Sequence, residues 1–168
     1  MINTLSRMIR TGILTEEAPQ ALKADLSIAD AHQRIWKVLG RALCIRHVDA
    51  GSCNGCELEI QALSNPYYNI QGIGIEFVAS PRHADLLLVT GPVSANMEEA
   101  LRRTLDAVPD PKLVIAVGDC GACGGVFGTS YASRGAVSNV IPVHRTVIGC
   151  PPSPSAILEA ICSVVIEA

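Results

Sequence analysis

The chain has 168 residues, and 13 Lys and Arg against 16 Asp and Glu give a net charge of −3, leaving no basic excess for a nucleic-acid backbone. Hydrophobic residues make up 49% and charged residues 17%, below the roughly 25% charge of an average soluble domain, yet no apolar run reaches the ~18 residues of a membrane span. The length suits one domain with a real core, and so apolar and charge-poor a composition points to surface covered by partner subunits.

The first forty residues read as a helical extension, 1–40, ahead of one domain over 41–168. Ile2, Leu5, Ile9 and Ile13 recur at helical spacing with Arg7 and Arg10 off that line, a pattern that suits packing on the domain itself, on a partner or on a membrane surface. Glu16 to Pro19 breaks it, and a second helical stretch runs from Leu26 to Leu39. From Arg41 short apolar runs alternate with glycine-bearing loops. Leu43–Val48 is a predicted strand leading into Gly51-Ser52-Cys53-Asn54-Gly55-Cys56, and a helix over Glu57–Leu63 stops before Asn65-Pro66. Ile73–Val78 and Asp85–Thr90, apolar from Leu86 to Val89, are further strands. Asn96 is placed to cap a helix carrying Met97, Leu101 and Leu105. Leu113–Val117 enters Gly118-Asp119-Cys120, Gly118–Gly135 reads as a long functional loop, and Val143–Ile148 enters Gly149-Cys150-Pro151. Ser153 and Pro154 open a last helix through Ile157, Leu158, Ile161 and Val165. The alternation predicts an α/β fold, a parallel sheet with helices on both faces.

Seven cysteines, an odd number, with no continuous apolar segment in Met1–Glu17 to serve as a secretory signal, argue for metal rather than disulfides. Cys53, Cys56, Cys120 and Cys150 all follow predicted strands, and in open parallel sheets sites form at the carboxyl ends. Four thiolates meet the needs of one [4Fe–4S] cluster. A Cys₄ zinc site from Cys53, Cys56, Cys120 and Cys123 uses a second Cys-x-x-Cys, and a thioredoxin-like pair at Cys53 and Cys56 is a third arrangement. Cys44 and Cys162 read as core, and so do His47 and His144, as hydrogen-bonded histidines. Gly72-Ile-Gly74 lacks the third glycine of a dinucleotide fingerprint, and there is no P-loop or catalytic triad. Glu57 and Glu59, on the first turn after Cys56, suit either the helix dipole or proton transfer beside a redox centre.

Gly51-Ser-Cys-Asn-Gly-Cys-Glu57, Gly118-Asp-Cys-x-x-x-Gly-Gly125 and Gly149-Cys-Pro-Pro152 resemble the superfamily that unites [NiFe] hydrogenase small subunits with the B-type subunit of NADH–quinone oxidoreductase. Ser80-Pro-Arg-His-Ala-Asp85 and Ile141-Pro-Val143 match it too, so the resemblance covers about 41–159. It implies a flavodoxin-like fold and one [4Fe–4S] cluster on Cys53, Cys56, Cys120 and Cys150. Complex I sequences carry adjacent cysteines where this chain has Cys-x-x-Cys, and Thr90-Gly-Pro-Val93 is also hydrogenase-like. With no room for the further clusters of larger uptake enzymes, the chain is most similar to membrane-bound, energy-converting, formate hydrogenlyase-type small subunits. The resemblance implies a large [NiFe] hydrogenase-like or complex I D-type partner, a ferredoxin-like iron–sulfur subunit, membrane subunits, and a peripheral place on the cytoplasmic side of the cell membrane. The alternative is a quinone-reducing complex. Glu59 matches a glutamate that recurs in complex I-type sequences. Arg82 and His83 are implied at a subunit interface or in a cavity near the cluster, with a solvated loop as the other reading.

Overall fold

A computed structural model of the chain describes residues 10 and 28–167. The expected helix through Ile2, Leu5, Ile9 and Ile13 and the break at Glu16–Pro19 lie outside the described residues. Five strands, β1 (Leu43–Asp49), β2 (Ile75–Phe77), β3 (Leu86–Thr90), β4 (Leu113–Val117) and β5 (Arg145–Val147), make one parallel sheet in the order β2-β1-β3-β4-β5. This is the flavodoxin-like order. The chain leaves β1 toward one edge and returns at β3 on its other side, so the crevice that favours ligands opens above the carboxyl ends of these strands.

Helices α1 (Ile28–Leu39), α2 (Gly55–Ala62), α3 (Glu98–Ala107), α4 (Gly118–Cys123) and α5 (Pro154–Glu167) complete the fold. Side chains alternate across each strand. Leu43, Ile45, Leu86, Leu88, Ile115 and Val117 face one way, into a core shared with Ile35 of α1, Ile60 of α2 and Ile157 and Ile161 of α5. Val48, Leu87, Val89, Val114 and Ala116 face the other, against Leu101 of α3 and Val137. β3 is buried at every position and apolar from Leu86 to Val89 because both its faces are covered. Gly40, at φ +64°, closes α1 by donating its N–H to Trp36 O. Ser153 caps α5 as expected, its hydroxyl accepting from Ala156 N–H and its carbonyl from Ile157 N–H.

Several expected boundaries move. α2 begins at Gly55, so Cys56 lies inside its first turn. Ile73 belongs to a 3₁₀ turn, Ile70–Ile73, that ends at Gly74 with φ +82°, and β2 keeps only three residues; an apolar residue buried in a turn carries the same hydrophobic signal as one in a strand. Asn96 caps nothing: the Ser94 hydroxyl accepts from Met97 N–H, and α3 starts at Glu98. The stretch expected as a loop from Gly118 opens with α4. β5 is cut to three residues, because the imidazole of His144 takes a place in the ladder: Nδ1 accepts from Val114 N–H at 3.0 Å while His144 N–H donates to Val114 O at 2.9 Å. His144 is exposed rather than core.

Candidate metal centre

The turn between β1 and α2 is shaped by an aspartate. Asp49 Oδ1 accepts from the backbone N–H of both Gly51 and Ser52, each at 2.8 Å, a local capture typical of Asp in turns. Burial alone would raise the Asp49 carboxyl, but the hydrogen bonds from Ser52 and Gly51 outweigh it and hold the group below its usual range. Asn54 then takes the left-handed conformation, φ +69°, at the head of α2. The turn leaves Cys53 exposed and buries Cys56.

The other two thiols come from beyond β4 and β5. Gly118, at φ +84°, swings the chain from β4 into α4, and a Cβ there would stand 2.6 Å from Cys56 Sγ. Gly125 is equally confined, its Cβ falling 2.8 Å from Cys120 Sγ. These two glycines leave the room that the sulfurs of Cys56 and Cys120 occupy. Cys150 is exposed on the turn after β5. Asp119 N–H donates to Gly149 O at 2.9 Å and Gly149 N–H returns to Asp119 Oδ1 at 2.8 Å.

The four thiols are electrostatic neighbours. Burial pushes Cys56 up to about 11, and Glu57, Cys53, Cys120 and Cys150 push it the same way. Cys120 is likewise raised by burial, then by Cys150 and Cys53. Neighbouring thiolates therefore disfavour the ionised forms of Cys56 and Cys120, and a cationic metal centre relieves that penalty. Among the described residues no three His, Cys, Asp or Glu side chains are close enough to hold a single ion. A zinc ion, which draws four sulfurs to about 2.3 Å, has no preformed site at Cys53, Cys56, Cys120 and Cys123. Cys123 is exposed and donates its thiol to Asp119 O.

Glu57 lies beneath the thiols, 6% exposed, with neither carboxylate oxygen hydrogen-bonded. His47 Nε2 stands 3.8 Å from Glu57 Oε1 and 3.0 Å from the Thr90 hydroxyl. Burial lowers the His47 pKa against the opposing pull of Glu57. His47 is hydrogen-bonded as expected, though half-buried. Glu59 is half-buried on the same helix. Arg82 and His83 sit exposed on a 3₁₀ turn before β3, at the opposite end of the sheet from the thiols, so of their expected places the cavity near the cluster does not hold and the solvated loop does. They line an open cleft of about 350 Å³ with Arg41, Cys44 and Asp85. Cys44 there is half-buried rather than core, while Cys162 is buried as expected. Two apolar side chains near the thiols are exposed: Val126, next to Gly125, at 95% and Ile148, two residues before Cys150, at 68%.

The Asp49 turn, the Asp119–Gly149 pairing and the Glu57–His47–Thr90 contact were not expected from sequence. Only the first has a local signature, Asp-x-Gly-Ser. The others join residues 30, 10 and 43 positions apart.

The family model for the NADH ubiquinone oxidoreductase 20 kDa subunit matches residues 53–164, which include all four thiols. The chain belongs to this family. It is 44% identical over 128 residues to the probable membrane-bound hydrogenase subunit mbhJ of Pyrococcus furiosus, covering 76% of this chain and 77% of that one. It is 41% identical to formate hydrogenlyase subunit 7 of Escherichia coli over 83% of this chain, and spans 55% of that subunit's length. A chain of the membrane-bound sulfane sulfur reductase, an archaeal respiratory membrane complex, superposes with a TM-score of 0.66 at 28% identity, over 82% of this chain and 77% of that one. Members of this family are thus subunits of oxidoreductase complexes, as the motifs imply.

Proposed function

We propose that the chain is the electron-transfer subunit of a membrane-associated oxidoreductase and carries one [4Fe–4S] cluster on Cys53, Cys56, Cys120 and Cys150. What supports the reading is that Cys53, Cys120 and Cys150 are all electrostatic neighbours of Cys56, beyond the carboxyl ends of β1, β4 and β5. An all-sulfur donor set suits an iron–sulfur cluster, which supplies a one-electron couple. The role of this chain's residues is to hold the four sulfurs, aim backbone at them and exclude water from the Cys56 side. Glu57 and Glu59 are the groups we assign to exchange protons beside the centre.

The exposed apolar residues beside Cys120 and Cys150 suit a large [NiFe] hydrogenase-type partner that receives or supplies the electrons, with a ferredoxin-like subunit and membrane subunits completing the complex. No described helix is long and apolar enough to cross a membrane, and we place the chain peripherally on the cytoplasmic face. The family description favours one second reading, delivery of electrons to quinone beside a complex I D-type subunit.

The test is the iron, sulfide, zinc and nickel content of the complex purified anaerobically with its partners, with low-temperature EPR after dithionite reduction. About four iron and four sulfide per chain, a signal from a reduced cluster, and nickel in the large partner establish the hydrogenase reading. The same cluster without nickel selects the quinone reading. Stoichiometric zinc without iron overturns both.

A further inference from the structure

We propose that Asp119 is a positioning residue for the metal centre: it clamps the Cys120 turn to the Cys150 turn and fixes the spacing of the two thiolates that β4 and β5 contribute. The inference rests on the cluster reading above. The β4–β5 ladder ends at the pair Val117 and Val147. Beyond it the backbones part, Gly118 turning into α4 at φ +84° and Gly149 taking φ +140°. Two hydrogen bonds rejoin them, Asp119 N–H to Gly149 O at 2.9 Å and Gly149 N–H to Asp119 Oδ1 at 2.8 Å. Residue 119 immediately precedes Cys120, and residue 149 immediately precedes Cys150. The clamp therefore lies one residue from each sulfur-bearing Cα.

The side-chain oxygen does here what a strand carbonyl does inside the ladder. Once the chain turns at Gly118, the next backbone carbonyl of a straight β4 is no longer available to Gly149 N–H. Gly149 itself packs tightly on the following turn, since a Cβ there would stand 2.7 Å from Pro152 Cα. Cys53 and Cys56 are set independently, by Asp49 and the first turn of α2. The four sulfurs thus fall into two pairs, and Asp119 governs only the second. What the clamp needs is an acceptor oxygen at that position, not a negative charge.

The test compares Asp119→Asn, Asp119→Ala and Asp119→Glu in the complex purified anaerobically with its partners. Three quantities are read: iron and sulfide per chain, the rate at which a ferrous chelator captures iron, and the EPR line shape after dithionite reduction. Asn keeps the oxygen and behaves as wild type. Ala removes it, releases iron about tenfold faster, the factor expected for one lost hydrogen bond, and alters the line shape. Glu displaces the oxygen by one methylene and falls between. An Ala variant that matches wild type in both rate and line shape overturns the proposal, and so does an Asn variant as labile as Ala, which would make charge the operative property. If the Ala chain is not recovered in the complex, Glu decides: release no faster than from Asn overturns the clamp. Failure of the cluster reading is separate, since it shows in the wild-type complex as the absence of four iron and four sulfide.

Discussion

Gly118→Ala gives the sharpest check that Cys56 is a ligand packed against the β4 turn. Two costs fall on this substitution. The left-handed conformation, φ +84°, costs an alanine about 1–2 kcal/mol. Its Cβ would stand 2.6 Å from Cys56 Sγ, and Cys56 is only 9% exposed; overpacking of this kind costs about 1–3 kcal/mol. Gly128→Ala separates the two. Gly128 is also left-handed, φ +55°, with nothing within 4 Å of its Cβ, so it bears the conformational cost alone. The expected destabilisation is about 1–2 kcal/mol for Gly128→Ala and about 2–5 kcal/mol for Gly118→Ala, a difference of about 3–10 °C in melting midpoint for a chain of this size. Because the clash is with the sulfur of a proposed ligand, Gly118→Ala is expected also to lose iron while Gly128→Ala retains it. The assay is the melting midpoint and the iron and sulfide per chain of the two purified complexes. Equal midpoints with full iron in both would refute the packing of Cys56 against this turn.

Replacing Cys150 with Ser removes the cluster absorption and most of the iron, whereas Cys123→Ser, whose thiol only donates to Asp119 O, leaves both; iron analysis of the two complexes checks it, and the reverse result means the ligand set is wrong. Burial keeps the His47 pKa below its ordinary 6.5, so in the window just below 6.5 the unfolded chain binds more protons than the folded one. Stability from this group is complete above about pH 6.5 and is lost as pH falls through the lowered value; His47→Gln flattens that part of the profile, read as the melting midpoint of the complex against pH. Glu98 accepts hydrogen bonds from both Arg134 and Arg102 and ties the segment after Gly125 to α3. Glu98→Ala speeds hydrogen exchange over 128–135 without changing the iron content, and unchanged exchange there would show that the exposed pairs contribute nothing.

The strands β3 and β4 were legible because each is a nearly continuous buried run, and β1 because Leu43, Ile45 and Val48 are buried within it, each with a glycine-bearing turn at its end, a signal local to about eight residues. The cysteines could be placed at strand ends for the same reason. What escaped was set by contacts distant in sequence. β5 is short because His144, 30 residues from Val114, replaces a ladder position with its side chain. β2 is short because Ile73 is buried in a turn, and hydrophobicity does not say in which backbone conformation an apolar residue is buried. Of the readings for Arg82 and His83, the cavity near the cluster came from motif resemblance alone, and the solvated loop agrees with their exposure. Their position directly before β3 places them at the amino end of a parallel strand, while every thiol follows a strand, and a reading of strand polarity separates the two groups without any structure.

Polarity also explains why the four thiols are spread over the chain. Cys53 and Cys150 are 97 residues apart (150 − 53), and closing so long a loop in an unfolded chain has an entropic cost that the sulfurs themselves do not offset. In the folded chain the cost is already met by the sheet, since parallel pairing puts the ends of β1, β4 and β5 on one edge. The centre is therefore as intact as the sheet beneath it, and the two aspartates, Asp49 and Asp119, carry that order across the last residue or two to the sulfurs. Cys53 and Cys150 remain exposed beside Val126 and Ile148. Exposed apolar side chains beside the proposed metal centre are unfavourable in water and favourable against a partner, which would desolvate the sulfurs and at the same time bring an electron donor or acceptor to them. On this account assembly and electron transfer use one face, and the composition noted first, rich in apolar residues and poor in charge, is its trace in the sequence.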